Sequence, residues 1–187
     1  MTHTTDLDPL FVTKRLVLRA PTFRDAPRIA ELLADGAVAR SLARIPYPYG
    51  LADAQRFLGD LPVKCASGAS SVFAIDARGE RSGLIGIIGL ERGAPDTPPT
   101  LGYWLGEPYW GRGFMSEAVG AAIAFARDAL RATRILSGYF VENAASARIQ
   151  EKHGFTVCGQ GVAHAVVRGE DLPHVETVLD FAKARAA

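Results

Sequence analysis

Leu101-Gly102-Tyr103-Trp104-Leu105-Gly106-Glu107-Pro108-Tyr109-Trp110-Gly111-Arg112-Gly113-Phe114-Met115-Ser116-Glu117 is the stretch on which the rest of the chain turns. Its first five residues are apolar and aromatic, the composition of a buried strand. Glu107-Pro108 ends that strand, because proline has no N–H for the ladder. Gly111-Arg112-Gly113 then leads into a helix expected from about Met115 to Leu130. Strand, glycine turn and helix N-terminus together suit an anion: the first N–H groups of a helix are unpaired and carry roughly half a positive charge. Glycines let a ligand approach the backbone closely, and Arg112 between them brings a forked cation. The stretch reads as a pyrophosphate cradle; the plain alternative is a tight strand-to-helix connection.

The other common phosphate motifs fit less well. No Gly-Lys-Ser/Thr of a P-loop is present. The dinucleotide fingerprint nearly fits, but Ser116 stands where its third glycine belongs. A doubly wound dinucleotide fold also needs strands and helices alternating throughout, and this chain does not alternate.

Phe11 to Arg19 reads as one half-buried strand, with Leu16 and Leu18 on its inner face. A helix opening at Thr22 or Arg24-Asp25 and stopping at Asp35-Gly36 buries Ile29, Leu32 and Leu33. Arg40 to Gly50, with Pro46-Tyr47-Pro48-Tyr49, is irregular. A helix from Ala52 to about Leu61 follows, then strands Ser70–Asp76 and Leu84–Glu91 about a turn at Ala77-Arg78-Gly79-Glu80. After the central helix come a strand at Arg134–Val141, a helix at Asn143–His153 closed by Gly154, one or two strands over Phe155–Val167, and a last strand from His174 to Phe181. The central strand, helix and next strand form one parallel crossover amid otherwise antiparallel strands. The expected fold is α+β: a mixed, mostly antiparallel sheet of six to seven strands flanked by about four helices. Residues 1–187 read as a single domain with a core at about 10–181.

The composition bounds the function. Nearly half the 187 residues are apolar and the formal net charge is +1, which argues against a nucleic-acid surface. No apolar run approaches the roughly 18 residues of a membrane span. Met1 to Asp6 lacks the order of a signal peptide. Cys65 and Cys158 have neither a near partner nor metal spacing, so free thiols in a reducing cytoplasm are expected. His153, His164 and His174 form no metal pattern, and no metal is expected.

Four separated motifs resemble one family. Trp110-Gly111-Arg112-Gly113-Phe114-Met115 is similar to the acetyl-coenzyme A loop of the GNAT N-acetyltransferases, Arg/Gln-x-x-Gly-x-Gly/Ala. Its central glycine matches; Trp110 and Met115 depart, as is familiar in the branch of ribosomal-protein N-terminal acetyltransferases. Thr13-Lys14-Arg15-Leu16-x-Leu18-Arg19 with Asp25, Pro46-Tyr47-Pro48-Tyr49, and Asn143-x-x-Ser146-x-Arg148-x-x-Glu151-Lys152-x-Gly154-Phe155 resemble the same branch. The resemblance runs over residues 10–181. It implies a GNAT fold, with a sheet splayed at the site, and acetyl-coenzyme A as cosubstrate.

The resemblance places the pyrophosphate on the backbone of Trp110, Gly111, Arg112, Gly113, Phe114 and Met115. It lays the pantetheine arm along Tyr103, Trp104 and Leu105, as an added strand. Asn143 stands beside the pantetheine, or caps its helix, or does both. Ser146 lies near the sulfur and helps the thiolate leave; its alternative is a first-turn serine satisfying backbone. Many GNATs use a tyrosine a few residues later, where Ile149-Gln150 stands here. Thr100 occupies the position where relatives often carry a glutamate base, leaving Glu91, Glu107 or a water. Arg148, Glu151 and Lys152 read as a solvated face, with a basic residue there able to meet the 3′-phosphate.

The reading is a cytoplasmic N-acetyltransferase, monomer or homodimer, acting on a primary amine. The acceptor is first the N-terminal α-amine of a protein or peptide. The alternatives are a small amine (antibiotic, amino acid or polyamine), or a coenzyme A-binding module without catalysis. Arg44 to Gly50, through Tyr47 and Tyr49, is expected to cover the acceptor side of the cleft.

Overall fold

The computed structural model describes residues 11–80, 83–94 and 96–182. Five helices and eight strands are formed among them: β1 (Phe11–Val12), β2 (Leu16–Arg19), α1 (Ala26–Leu33), α2 (Gly36–Arg40), α3 (Leu51–Ala66), β3 (Ser70–Ala77), β4 (Leu84–Glu91), β5 (Thr100–Leu105), α4 (Phe114–Asp128), β6 (Arg134–Phe140), α5 (Ala144–Lys152), β7 (Thr156–Ala165) and β8 (Glu170–Asp180). The strands form one sheet in the order β1-β2-β3-β4-β5-β6-β8-β7. Every neighbouring pair is antiparallel except β5 and β6. The α+β class and the lone parallel crossover are as the sequence implied.

The strand count differs from six or seven because the first expected strand is two. At Thr13 the chain reverses: the Thr13 amide donates to the Leu16 carbonyl at 2.9 Å, the Leu16 amide donates to Thr13 Oγ1 at 3.0 Å, and Phe11 faces Leu18 in the hairpin. The extra helix, α2, begins where α1 was expected simply to stop; Asp35 Oδ1 accepts from the Ala37 amide and starts a new turn. α3 runs through Pro62 to Ala66 rather than ending near Leu61. Proline there forfeits one backbone bond, and the turn it enters is largely exposed, where water can replace it.

β3 and β4 bury residues of both parities, the signature of strands covered on both faces. α4 packs on β2, β4 and β5, while α3 lies on β3 and α1 on α3 and β4. Phe11, Phe73 and Phe125 close one end edge-to-face, with ring centroids 5.2–5.5 Å apart, an arrangement that sets a ring edge against a neighbouring ring's face.

Arg19 ties this half together. Its guanidinium donates to both oxygens of Asp25 (2.7 and 2.8 Å) and to Asp76 on β3 (2.6 Å). Asp25 also accepts from the Thr22 amide at 2.7 Å, closing the turn before α1. Burial alone would raise the Asp25 pKa, but the bonds from Arg19 and Thr22 outweigh it and hold it below the ordinary value. A depressed carboxyl stabilises the fold above its unfolded pKa of about 3.9, and that contribution is lost as pH falls through the folded value. Asp25→Ala strands a nearly buried guanidinium on Asp76 alone and should cost about 3 kcal/mol at neutral pH. In denaturant titrations the difference from wild type should shrink below about pH 4; a constant difference would assign the loss to packing.

Candidate active site

β5 and β6 share a single rung, Thr100 opposite Leu136, and then part. The gap widens into a cleft of about 900 Å³, in the range of ligand pockets. Strand alternation decides which backbone groups face it. The Leu136 amide donates to Pro99 O at 2.9 Å, Ser137 Oγ donates to Leu101 O at 3.0 Å, and the Trp110 indole donates to Leu105 O at 2.8 Å. Odd-numbered residues of β5 therefore turn their peptide groups toward β6, and even-numbered ones toward β4. Of the three residues expected to present backbone to a ligand, Tyr103 alone does so openly. Trp104 faces β4 with its peptide groups, and the Leu105 carbonyl is held by Trp110.

The glycine turn sits at the mouth of this cleft. Gly111 (φ +71°) and Gly113 (φ +76°) both take the left-handed conformation, which costs a residue with a Cβ roughly 1–2 kcal/mol. Gly113 caps α4, so the first free amides of that helix begin at Phe114 and Met115. Phe114 and Met115 are themselves buried, their side chains anchoring the turn while their backbone faces outward. Arg112 pairs with Glu80 and lies over the Phe114 ring, 4.6 Å from its centroid; part of its charge is thus already engaged. Arg15 also lies over Phe114 (4.9 Å) and donates to the Arg112 carbonyl at 2.8 Å.

Glu117 holds Arg15 there. Its carboxylate accepts from Arg15 Nε and the Arg15 amide (both 2.7 Å) and from Thr13 Oγ1 (2.6 Å). Partial burial would raise its pKa, but these bonds bring it below the usual value. Arg15 and Glu117 each stand in a stretch that the sequence singles out, but their pairing across 102 positions has no signature in it. His153 Nε2 meets Ser116 Oγ and O at 3.1 and 2.8 Å, joining the start of α4 to the end of α5; burial lowers its pKa.

On the far side, α5 presents its N-terminus. Asn143 Oδ1 accepts from the Ser146 amide at 3.0 Å, so Asn143 is the cap, and it also lines the cleft. The Ser146 hydroxyl is 2.8 Å from that of Tyr103. A phenol from β5 thus stands beside Ser146, while Ile149-Gln150 occupy the later positions of α5. Gln150, fully buried, sits beneath both: it reaches Tyr103 Oη at 3.4 Å and Ser137 Oγ at 3.0 Å, and accepts from Thr177 Oγ1 at 2.6 Å.

Among the acids, Glu91 lines the cleft opposite Thr100 and pairs with Arg44 at 3.2 Å. Glu107 stands in the turn after β5, its pKa raised by a hydrogen bond with Asp35. Glu176 on β8, between Gly138 and Gly159, also lines the cleft; alternation against buried Val175 and Thr177 marked its face, but not that the face opens here. Arg148 and Lys152 are exposed along the same cleft. The irregular segment contributes Ser41 to Ile45 to the wall. Tyr49, expected as an acceptor contact, is instead core: it is buried, and burial pushes its phenol up to about 12. Tyr47 is exposed, beside Arg40 and Arg168.

The mixed sheet thus opens beside its one crossover helix, with the N-terminus of α4 and the hydroxyls of Tyr103 and Ser146 on one cleft. Residues 15–156 match the family model for the acetyltransferase (GNAT) domain. Over 95% of its length the chain is 28% identical to an uncharacterized N-acetyltransferase, YoaA, of Bacillus subtilis, covering 98% of that protein. Over 79 residues, 42% of this chain and 41% of the relative, it is 32% identical to the ribosomal protein uS5-alanine N-acetyltransferase of Escherichia coli. A solved structure of RimL, a ribosomal L7/L12 α-N-protein acetyltransferase in complex with coenzyme A, superposes with a TM-score of 0.81 over 92% of this chain and 98% of that one, at 19% identity. The chain belongs to the GNAT acetyltransferase family.

Gly113→Val imposes a β-branched residue on a left-handed turn and crowds the cradle. The Michaelis constant for acetyl-coenzyme A should rise at least tenfold, with that for the acceptor changing far less; a folded variant with unchanged affinity would remove the cradle from the site. Tyr49→Ala should act on stability instead, costing about 3–4 kcal/mol by thermal or chemical melting while leaving acceptor preference as it was.

Proposed function

We propose that this protein transfers the acetyl group of acetyl-coenzyme A to a primary amine, first of all the α-amine of a protein or peptide N-terminus, by direct attack within a ternary complex. The observation that carries the reading is the meeting of Tyr103 and Ser146 at 2.8 Å where β5 and β6 part. Two hydroxyls on the wall of the same cleft as the glycine turn support a site for a thioester beside its anionic anchor.

The residues fit the cosubstrate. The amides from Gly111 to Met115 form a concave donor set for a pyrophosphate. Tyr103 offers one free strand rung, with N–H and C=O in the directions an extended amide arm requires. Arg148 and Lys152 supply cations on the same wall. At the reacting end, Ser146 sits in the first turn of α5, where its hydroxyl and the helix dipole both favour a developing thiolate. A thiol of pKa about 8.5 needs only modest help to leave.

The acceptor must arrive neutral. An α-amine, with a pKa of about 7.7–8.0, is partly so at neutral pH; a lysine amine near 10.4 is not. With Thr100 at the usual place of the base, the first of these asks less of the protein. The named activities of the uS5-alanine and L7/L12 enzymes, both acting on ribosomal proteins, point the same way. Proximity of the two substrates then supplies much of the rate.

Free-thiol release measured against peptides, amino acids, polyamines and aminoglycosides in parallel tests the reading. Turnover should be highest with peptides bearing a free α-amine; turnover confined to polyamines or aminoglycosides would reassign the acceptor, and binding without thiol release would leave a coenzyme A-binding module. Ser146→Ala should lower kcat roughly 10- to 1000-fold with little change in acetyl-coenzyme A affinity. A lower melting temperature with wild-type turnover would return Ser146 to a purely structural role.

A further inference from the structure

The polar cluster beneath Ser146 has a direction, and the hydrogen-bond inventory determines it. Ser137 has one proton, and it goes to Leu101 O at 3.0 Å. Its second contact, Gln150 at 3.0 Å, must therefore be an N–H of the amide. Gly138 O, which can only accept, lies 3.4 Å from the same nitrogen. Both neighbours put Gln150 Nε2 toward β6 and leave Oε1 to Thr177, whose hydroxyl donates at 2.6 Å. The amide cannot be reversed without setting a carbonyl against a carbonyl.

One proton of Nε2 is committed to Ser137; the other is shared between Gly138 O and Tyr103 Oη, both at 3.4 Å. Tyr103 is thus addressed by a donor on its inner side. Its own proton is then free to turn outward to Ser146 Oγ at 2.8 Å, an arrangement in which Ser146 accepts from Tyr103 and keeps its own proton for the cleft. Burial of Tyr103 raises its pKa above the ordinary 10, against smaller opposing effects of Ser146 and Gln150, so the phenol stays protonated at working pH.

We propose that Gln150 is a positioning residue that polarises a one-way hydroxyl chain, Tyr103 to Ser146 to the leaving sulfur, so that Ser146 presents a proton to the cleft. This rests on the acetyl-transfer reading above. As the amine nitrogen bonds to the acetyl carbon, the C–S bond breaks and its electron pair goes to sulfur. Sulfur takes the Ser146 proton, Ser146 takes that of Tyr103, and Tyr103 recovers one from water. The nitrogen releases its extra proton to solvent, balancing the one that Tyr103 takes up, so acetylation of a neutral amine leaves the proton count unchanged and acetylation starting from an ammonium releases one proton.

Gln150→Glu is isosteric and reverses the polarity. An ionised carboxylate only accepts, so it draws the Tyr103 proton inward; Tyr103 then accepts from Ser146, and the Ser146 proton turns away from the sulfur. At pH 8 kcat should fall at least tenfold, with the Michaelis constant for acetyl-coenzyme A within twofold of wild type. The variant-to-wild-type ratio of kcat should recover as pH is lowered and the introduced carboxyl gains a proton. In a Tyr103→Phe background, itself slowed, Gln150→Glu should cost nothing further. Should Gln150→Glu fail to fold, Gln150→Met should lower kcat when Tyr103 is present and not in Tyr103→Phe. Equal losses in both backgrounds, or a pH-independent wild-type kcat in folded Gln150→Glu, would overturn the chain while wild-type thiol release leaves acetyl transfer standing. A wild type that releases no thiol with any acceptor would overturn both.

Discussion

Peptide groups taken from water must find partners, and in this molecule that constraint is sharpest where β5 leaves β6. Opening a sheet after one rung exposes a row of donors and acceptors on both edges. The molecule answers with side chains. Ser137 takes the Leu101 carbonyl, the Trp110 indole takes that of Leu105, and Gln150 settles Ser137 and Gly138 on the opposite edge. On β5 the rung at Tyr103 faces the cleft between two carbonyls that these side chains hold.

The second requirement is charge. An anion site at the N-terminus of α4 conflicts with Glu117 in the same first turn, since a free carboxylate there would repel a phosphate. Arg15 and Thr13 engage both carboxylate oxygens, so the charge of Glu117 is offset by Arg15. The same contact fastens the β1-β2 turn to α4 and lays Arg15 over Phe114, beside Arg112. One acidic residue thus joins two parts of the fold with its charge already paired.

Much of this was legible from residue order. Alternation marked β2 and β8, apolar runs about a turn marked β3 and β4, the glycines marked the start of α4, and Asn143 ahead of a helix offered the cap of α5. Where the reading slipped, a local rule was overridden by a neighbour far along the chain. The helix expected to end near Leu61 continues to Ala66 through Pro62, because the turn that the proline weakens lies at the surface. Tyr49 was taken for a binding residue because it sits among prolines, yet it is drawn into the core. Thr13, which reverses the chain after two residues of strand, carries no glycine or proline to announce the turn.

Sequence alone determined the α+β class, the single parallel crossover, and the position of the glycine turn, because each depends on contacts between residues near in the chain: strand alternation, helix period, and positive φ at Gly111 and Gly113. Tertiary structure alone decided which hydroxyls meet. Tyr103 and Ser146 are 43 residues apart, and Thr177 and Gln150 are 27 apart. Their approach follows from β6 lying between β5 and β8 with α5 packed across the gap, and hydrogen-bond direction, unlike hydrophobic periodicity, has no one-dimensional signature. The phenol beside Ser146 comes from a strand rather than from the helix after Ile149, because contacts are set by positions in space rather than by positions in a motif.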